Sequence, residues 1–123
     1  MKEYKIFLDD NLIGTTNFEF ADASMGVVFG KVNFIDIENP YFFFKKYCDT
    51  NDIDYHFIDD EKYIQTFELK HIKINRSDSY FIRNGASFCG FDEDIQIEMY
   101  NISSEIMKSE FLHHYYDYYG ETD

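Results

Sequence analysis

Short segments of the chain alternate between hydrophobic and polar residues, which is the pattern of half-buried β-strands. Two such segments, 4–8 and 12–20, flank the turn residues Asp9-Asp10-Asn11 and predict a β-hairpin. A third strand is predicted over 27–35. The residues expected on its apolar face are Val28, Gly30, Val32 and Phe34.

The second half of the chain also favours strands. Residues 63–75 alternate with a change of phase near His71, which indicates either one bulged strand or two strands. Asn84-Gly85 is a strong signal for a tight hairpin turn and predicts pairing between 80–82 and 87–89. Residues 95–99 alternate cleanly and predict a further strand.

Two helices are predicted. Asn39-Pro40 combines a favoured N-cap with a favoured first residue, and the helix over 41–48 should turn one side to the core. That side carries Tyr41, Phe44 and Cys48. A closing helix should begin at Ser103 or Ser104 and end at Gly120. Its apolar stripe comprises Met107, Phe111, Tyr115 and Tyr118, joined by Leu112 and Tyr119.

These elements predict an α+β fold, with an antiparallel sheet of about five to seven strands and two helices packed on it. At 123 residues the chain is expected to form one domain, 1–123. Neither a secretory signal nor an apolar run of about 20 residues is present in the sequence, so a cytoplasmic protein with no membrane association is expected. Cys48 and Cys89 are then expected to be free thiols, with one disulfide as the alternative.

Charge narrows the class of partner. The chain has 24 acidic and 11 basic residues, a formal net charge of −13. Such a field repels nucleic-acid phosphates and anionic membranes, so neither is an expected partner. It favours a basic protein, whose association it can accelerate by about 10- to 1000-fold. The chain itself is expected to be a monomer or a weak homodimer.

Acidic residues concentrate in 49–61 and in 92–94, with aromatic residues beside both clusters. Solvated loops would explain such clusters, but aromatic anchors among carboxylates are typical of an interface. The candidate partner-binding residues are Asp54, Tyr55, Asp59, Asp60, Glu61, Tyr63, Asp92, Glu93 and Asp94. Whether they form one surface or two is open at this point.

Catalytic and metal-binding patterns are weak in the sequence. His56 and His71 are isolated, and His113-His114 point about 100° apart on a helix, so all four are expected at the surface or in an interface. No calcium loop has the required spacing. We therefore predict no enzyme activity and no cofactor. A small hydrolase that uses a carboxylate pair is an alternative.

The segment Phe20–Gly30, FADASMGVVFG, has glycines but lacks the strand–glycine–helix order of a phosphate loop. We expect Gly26 to adopt a positive φ or a close approach at a turn, and Gly30 to admit a neighbour against the strand. The segment resembles the Asp-Pro-Pro-Met-Gly-Val-Ala-x-Gly signature of a group of small bacterial proteins. The matching residues are Asp22, Met25, Gly26, Val27 and Gly30, while Ala23 and Ser24 replace the prolines and Val28 replaces an alanine.

In size and acidity the chain is similar to bacterial toxin immunity proteins, including those of contact-dependent growth inhibition systems. The resemblance implies a protein that binds a cognate cytotoxin, often a basic nuclease, and occludes its active or substrate-binding surface. A nucleic-acid mimic, such as a phage inhibitor of a DNA-binding protein, is an alternative that would need carboxylates spaced like phosphates.

Overall fold

The computed structural model describes residues 3–76, 81–83, 85–92, 94–112 and 114. The strands are β1 (Tyr4–Leu8), β2 (Asn11–Thr16), β3 (Phe20–Asp22), β4 (Val27–Lys31), β5 (Asn33–Phe34), β6 (Tyr55–Ile58), β7 (Tyr63–Thr66), β8 (Ile72–Arg76), β9 (Phe81–Arg83), β10 (Ala86–Phe91) and β11 (Asp94–Met99). The helices are α1 (Pro40–Asn51) and α2 (Ser104–Glu110). Neither helix is long and apolar enough to cross a membrane, a finding that covers only the part of the chain just given.

The strands form two antiparallel sheets. The five-stranded sheet has the order β5-β2-β1-β8-β9, and the six-stranded sheet has the order β3-β4-β11-β10-β7-β6. The predicted α+β class is confirmed, and so is the first hairpin, in which β1 pairs with β2. The prediction of one sheet is wrong, because the chain crosses between two sheets several times.

The predicted strand over 27–35 is one place where the chain crosses between sheets without interrupting the alternating pattern. It divides at Val32, whose N–H donates to the Ile95 carbonyl at 3.0 Å, so that β4 and β5 lie in different sheets. Val28 and Val32 are nevertheless buried and Phe34 is half-buried, as predicted for one face. The alternation continues because the inner faces of both sheets contribute to the same core.

Two other alternating segments divide in the same way. The segment 12–20 leaves the five-stranded sheet after Thr16 and joins the six-stranded sheet at Phe20. Phe18 lies between them, fully buried, with a positive φ of 46°. The segment 63–75 forms β7 and β8 in different sheets, so of the two predicted alternatives the two-strand form is confirmed.

The hairpin predicted at Asn84-Gly85 is wrong. β9 pairs with β8 in the five-stranded sheet, whereas β10 pairs with β7 and β11 in the six-stranded sheet. Backbone bonds between Leu69 and Ala86, at 2.7 and 3.2 Å, hold the start of β10 away from β9. The long-range pairing therefore overrides the local turn signal. Asn84 itself lies outside the described residues.

Helix α1 packs on the inner side of the six-stranded sheet. Phe44 is fully buried and stacks on Phe88 of β10, with ring centroids 4.3 Å apart. Cys48 is also buried, and Tyr41 is half-buried, so the predicted side faces the core. Asn39 occupies the N-cap position, but its side chain makes no capping hydrogen bond. Burial raises the pKa of the free Cys48 thiol to about 11, which keeps it protonated at neutral pH.

Helix α2 begins after Ser103, whose hydroxyl accepts the Ile106 N–H at 3.2 Å, so this serine is the cap of the two predicted. Met107 and Phe111 are buried as predicted. Leu112, expected in the same stripe, is instead exposed. The remaining predicted members, Tyr115, Tyr118 and Tyr119, and the terminating Gly120 lie outside the described residues.

His114 corrects the expectation that the histidines lie at the surface. It is buried, and its Nε2 lies 2.7 Å from the carbonyl oxygen of Phe18, in the crossover between the sheets. Phe18 lies outside both sheets, so its carbonyl has no strand partner. The imidazole supplies a hydrogen-bond partner, without which burying this carbonyl would be costly. His56 and His71 are exposed as expected, and His113 is not among the described residues.

The segment that carries the signature runs from the end of β3 through a 3₁₀ turn, Ala23–Met25, into β4. The Asp22 carboxylate caps this turn and accepts the Met25 N–H at 3.3 Å. Gly26 ends it with a φ of 68°, and a Cβ there would lie 2.7 Å from the Ile102 carbonyl oxygen. A Cβ at Gly30 would lie 2.6 Å from Thr16 Oγ1. Both predicted glycine roles are confirmed.

Replacing Gly26 by alanine should destabilise the fold by about 1–3 kcal/mol, because the new Cβ meets both a left-handed backbone and the Ile102 carbonyl. Urea denaturation measures the loss. The matched control is Met25→Ala in the same turn, where the side chain is 72% exposed and a change within about 0.5 kcal/mol is expected. Equal stability of Gly26→Ala and the parent chain would contradict this role of Gly26.

Candidate functional site

The ends of the two predicted acidic clusters that form turns meet where strands of the six-stranded sheet end. Residues Asp59–Glu61 form a 3₁₀ turn between β6 and β7, and Asp92 lies in the turn between β10 and β11. The turns are neighbours because β7 pairs with β10, and the Asp92 N–H donates to the Lys62 carbonyl at 2.7 Å. We call Asp59, Asp60, Glu61, Asp92 and Asp94 the acidic edge. Glu93 lies outside the described residues.

The backbone of the acidic edge is held in turn conformations. Lys62 has a φ of 53° and closes the 3₁₀ turn by donating its N–H to the Asp59 carbonyl at 3.1 Å. Asp92 has a φ of 51°, a conformation that aspartate adopts more readily than most residues. Asp92 is half-buried, and the other four carboxylates of the edge are exposed. The backbone of the acidic edge is therefore held in place, with exposed carboxylates along it and the exposed Lys62 among them.

A row of side chains on the outer face of the sheet adjoins the acidic edge. Strand pairing places Ile58 opposite Tyr63, Tyr63 opposite Phe91, and Phe91 opposite Asp94. At about 4.8 Å between strands, this edge row spans about 14 Å. Phe91 is 54% exposed and Ile58 is 47% exposed, so apolar surface lies directly beside the carboxylates.

Tyr63 is the most firmly held aromatic side chain of the edge row. Its hydroxyl donates to Gln65 Oε1 at 3.0 Å and lies 3.4 Å from the free thiol of Cys89. Its ring centroid is 4.8 Å from that of Phe91. The bond to Cys89, followed by burial, raises the pKa of Tyr63 to about 12. The hydroxyl is thus neutral at physiological pH and adds no charge to the row.

Asp94 has a cationic neighbour on the outer face. Lys31 Nζ lies 3.0 Å from Asp94 Oδ1, with side-chain exposures of 57% and 81%. Exposed pairs of this kind contribute about 0–1 kcal/mol. The Asp94 carboxylate can therefore exchange Lys31 for another cation at little cost.

Asp54 does not belong to the acidic edge. It is exposed, and its carbonyl accepts the Phe67 N–H at 3.0 Å at the far end of the β6–β7 hairpin. Asp59 is five positions further along the chain, which is about 16 Å along an extended strand. The structure therefore does not bring this predicted site residue together with the acidic edge.

Tyr55 also lies apart from the edge row, because it faces the inner side of β6. It is half-buried, and its hydroxyl donates to Asp49 Oδ1 at 2.6 Å. Lys45 completes the group, with Nζ 2.9 Å from Asp49 and 5.9 Å from the Tyr55 ring centroid. The Tyr55 hydrogen bond and then Lys45 lower the pKa of Asp49. Tyr55 thus takes part in the contact between α1 and β6.

Sequence reasoning missed a second aromatic group on the outer face. Phe20 and Phe29 stack with centroids 5.4 Å apart, and Phe29 pairs across the strands with Glu98. Phe20 is 51% exposed. The available signal was that aromatic residues occupy both phases of the alternating segments, so that both faces of the sheet must carry some of them.

One cleft of about 370 Å³ is lined by Lys31 and Asp94 among others, and another lies away from the acidic edge. This second cleft, of about 480 Å³, is lined by Asp9, Asp10 and His71 among others. The Asp9 carboxylate accepts the Tyr47 hydroxyl at 2.8 Å, and Asp10 forms an ion pair with Lys73. Within the described ranges, no three histidine, cysteine or carboxylate side chains are grouped as metal ligands would be.

Comparison with known proteins adds no relative. No family model matches the chain, no curated protein matches it, and no solved structure matches its fold. The resemblance to immunity proteins therefore stays a prediction, and so does the expectation that the chain is not an enzyme.

Proposed function

We propose that this chain is an immunity protein, which binds a basic bacterial cytotoxin and neutralises it by covering its active or substrate-binding surface. The observation that carries the proposal is the hydrogen bond from Asp92 to Lys62, which joins two acidic turns into one edge. A single concentrated field steers a basic partner better than two separated clusters of the same charge. A nuclease domain, whose cleft must attract phosphates, presents the complementary surface.

The edge row also supports the proposal, because it offers a partner exposed apolar surface beside the carboxylates. Charges at an interface contribute more to association rate and specificity than to affinity, and aromatic anchors supply much of the binding energy. Tyr63 and Phe91 provide such anchors directly beside the carboxylates. Phe91 is exposed and Tyr63 is held by hydrogen bonds, so the row can be covered without rearranging the sheet.

Co-expression with the protein encoded immediately upstream tests the proposal. We expect that protein to arrest growth when expressed alone and to be neutralised by this chain. The pair should co-purify as a stoichiometric complex at low ionic strength. Growth arrest that this chain fails to relieve, or the lack of any complex with a basic partner at low salt, would contradict the proposal.

A further inference from the structure

The outer face of the six-stranded sheet pairs aromatic rings with carboxylates at two places. Phe91 lies directly opposite Asp94 on the neighbouring strand, and Phe29 lies directly opposite Glu98. Side chains opposed in this way have Cβ atoms about 4.5–5.5 Å apart. Each ring also has an aromatic neighbour, Tyr63 for the first and Phe20 for the second. The face thus repeats one combination, a ring surface beside a negative charge.

We propose that this outer face binds arginine side chains of the basic partner, with Phe91 and Asp94 forming the principal arginine site. The inference rests on the proposed function and specifies the partner chemistry that this surface selects. A guanidinium is planar, so it can lie on the Phe91 ring while its N–H groups reach the Asp94 carboxylate. A lysine ammonium can satisfy the charge but cannot stack or fork in this way.

The chain already combines a cation, a carboxylate and a ring at an internal site, where the cation is a lysine. Lys45 Nζ pairs with Asp49 and lies 5.6 Å from the centroid of the Phe57 ring, on the opposite face of β6. There the cation, the carboxylate and the ring all come from the same chain. On the outer face, the Asp94 carboxylate pairs with the exposed Lys31 among the described residues, and an incoming guanidinium can displace that lysine.

Charge argues against a second copy of the chain as the occupant. A net charge of −13 on each molecule opposes the approach of two outer faces that both end at an acidic edge. The exposed rings Phe20 and Phe91 would otherwise favour such a dimer. A cationic partner covers the same rings and also neutralises the carboxylates, so it fits both properties of the face.

The spacing of the two ring–carboxylate groups defines a probe. Asp94 and Glu98 are four residues apart on β11, which is about 13 Å along the strand. A peptide of five residues in total, with arginine at positions 1 and 5 and Gly or Ser between them, spans about the same distance when extended. Its twin with lysine at both ends carries the same charge, so a difference in affinity between the two isolates guanidinium recognition.

The experiment is an NMR titration of the ¹⁵N-labelled chain with each peptide. We expect the arginine peptide to bind about two- to fivefold more tightly, because its guanidinium can stack on the ring and donate to the carboxylate at the same time, and to shift the amide signals of Phe91 and Asp94. Phe91→Ala should remove the preference and leave the charge-driven binding of both peptides. Phe42→Ala, an equally exposed phenylalanine on α1, should leave the preference intact. Lys31→Gln should strengthen arginine binding, because it frees Asp94.

Equal affinity for the two peptides would overturn the inference, and so would a preference that survives Phe91→Ala. Shifts confined to another surface, or concentration-dependent dimerisation through the outer face, would also overturn it. The peptides test the surface without a toxin. Toxin neutralisation without arginine selectivity would therefore remove this inference alone, and arginine selectivity without neutralisation would remove the proposed function alone.

Discussion

Replacing Phe88 by alanine should remove about 3–5 kcal/mol from the free energy of unfolding, a large part of what holds a domain of this size together. Phe88 is fully buried on the inner face of β10 and stacks on Phe44 of α1. Its loss leaves a cavity between the helix and the six-stranded sheet, and it removes an aromatic contact as well. Urea denaturation followed by circular dichroism measures the change.

Phe91→Ala is the matched control for this prediction. It makes the same substitution three residues later on the same strand, but on the outer face, where the ring is 54% exposed. A loss of less than about 1 kcal/mol is expected, because little buried contact is removed. If the two variants lost equal stability, the assignment of inner and outer faces to β10 would be wrong.

The sequence predicted which residues face inward better than it predicted which sheet they belong to. Val28, Val32 and Phe34 lie toward the core as the alternation indicates, although Val32 separates strands of different sheets. When two sheets share one core, a strand can leave one and enter the other without changing the phase of its side chains. Local pattern therefore cannot distinguish one long strand from two short strands.

The candidate site was only partly predictable, because its geometry also depends on which strands pair and in which register. The grouping of acidic residues along the chain predicted the acidic turns, but it did not predict that these turns adjoin. The joining of the two turns depends on the pairing of β7 with β10, which links residues far apart in the chain. Tyr55 was misplaced because Tyr55 and Tyr63 lie in adjacent strands but face opposite sides of the sheet. Only the register of that pairing reveals the difference.

Reversing the acidic edge with Asp59→Lys, Asp60→Lys and Glu61→Lys should slow association with the basic partner by about 10- to 100-fold. The three carboxylates are exposed in one turn, so the substitutions invert the local field without disturbing the core. The salt dependence of the association rate should also fall. Stopped-flow measurements at about 0.01 M and about 0.15 M salt, where the Debye length falls from about 30 to about 8 Å, test both expectations.

A second triple variant separates the local field from the net charge. Glu3→Lys, Asp54→Lys and Glu105→Lys change the formal charge by the same amount at exposed positions outside the acidic edge. We expect a much smaller effect on the association rate from this variant, because steering depends on the charges that face the partner. Equal slowing by the two triple variants would mean that net charge alone attracts the partner. Unchanged kinetics for the edge variant would place the interface on another surface.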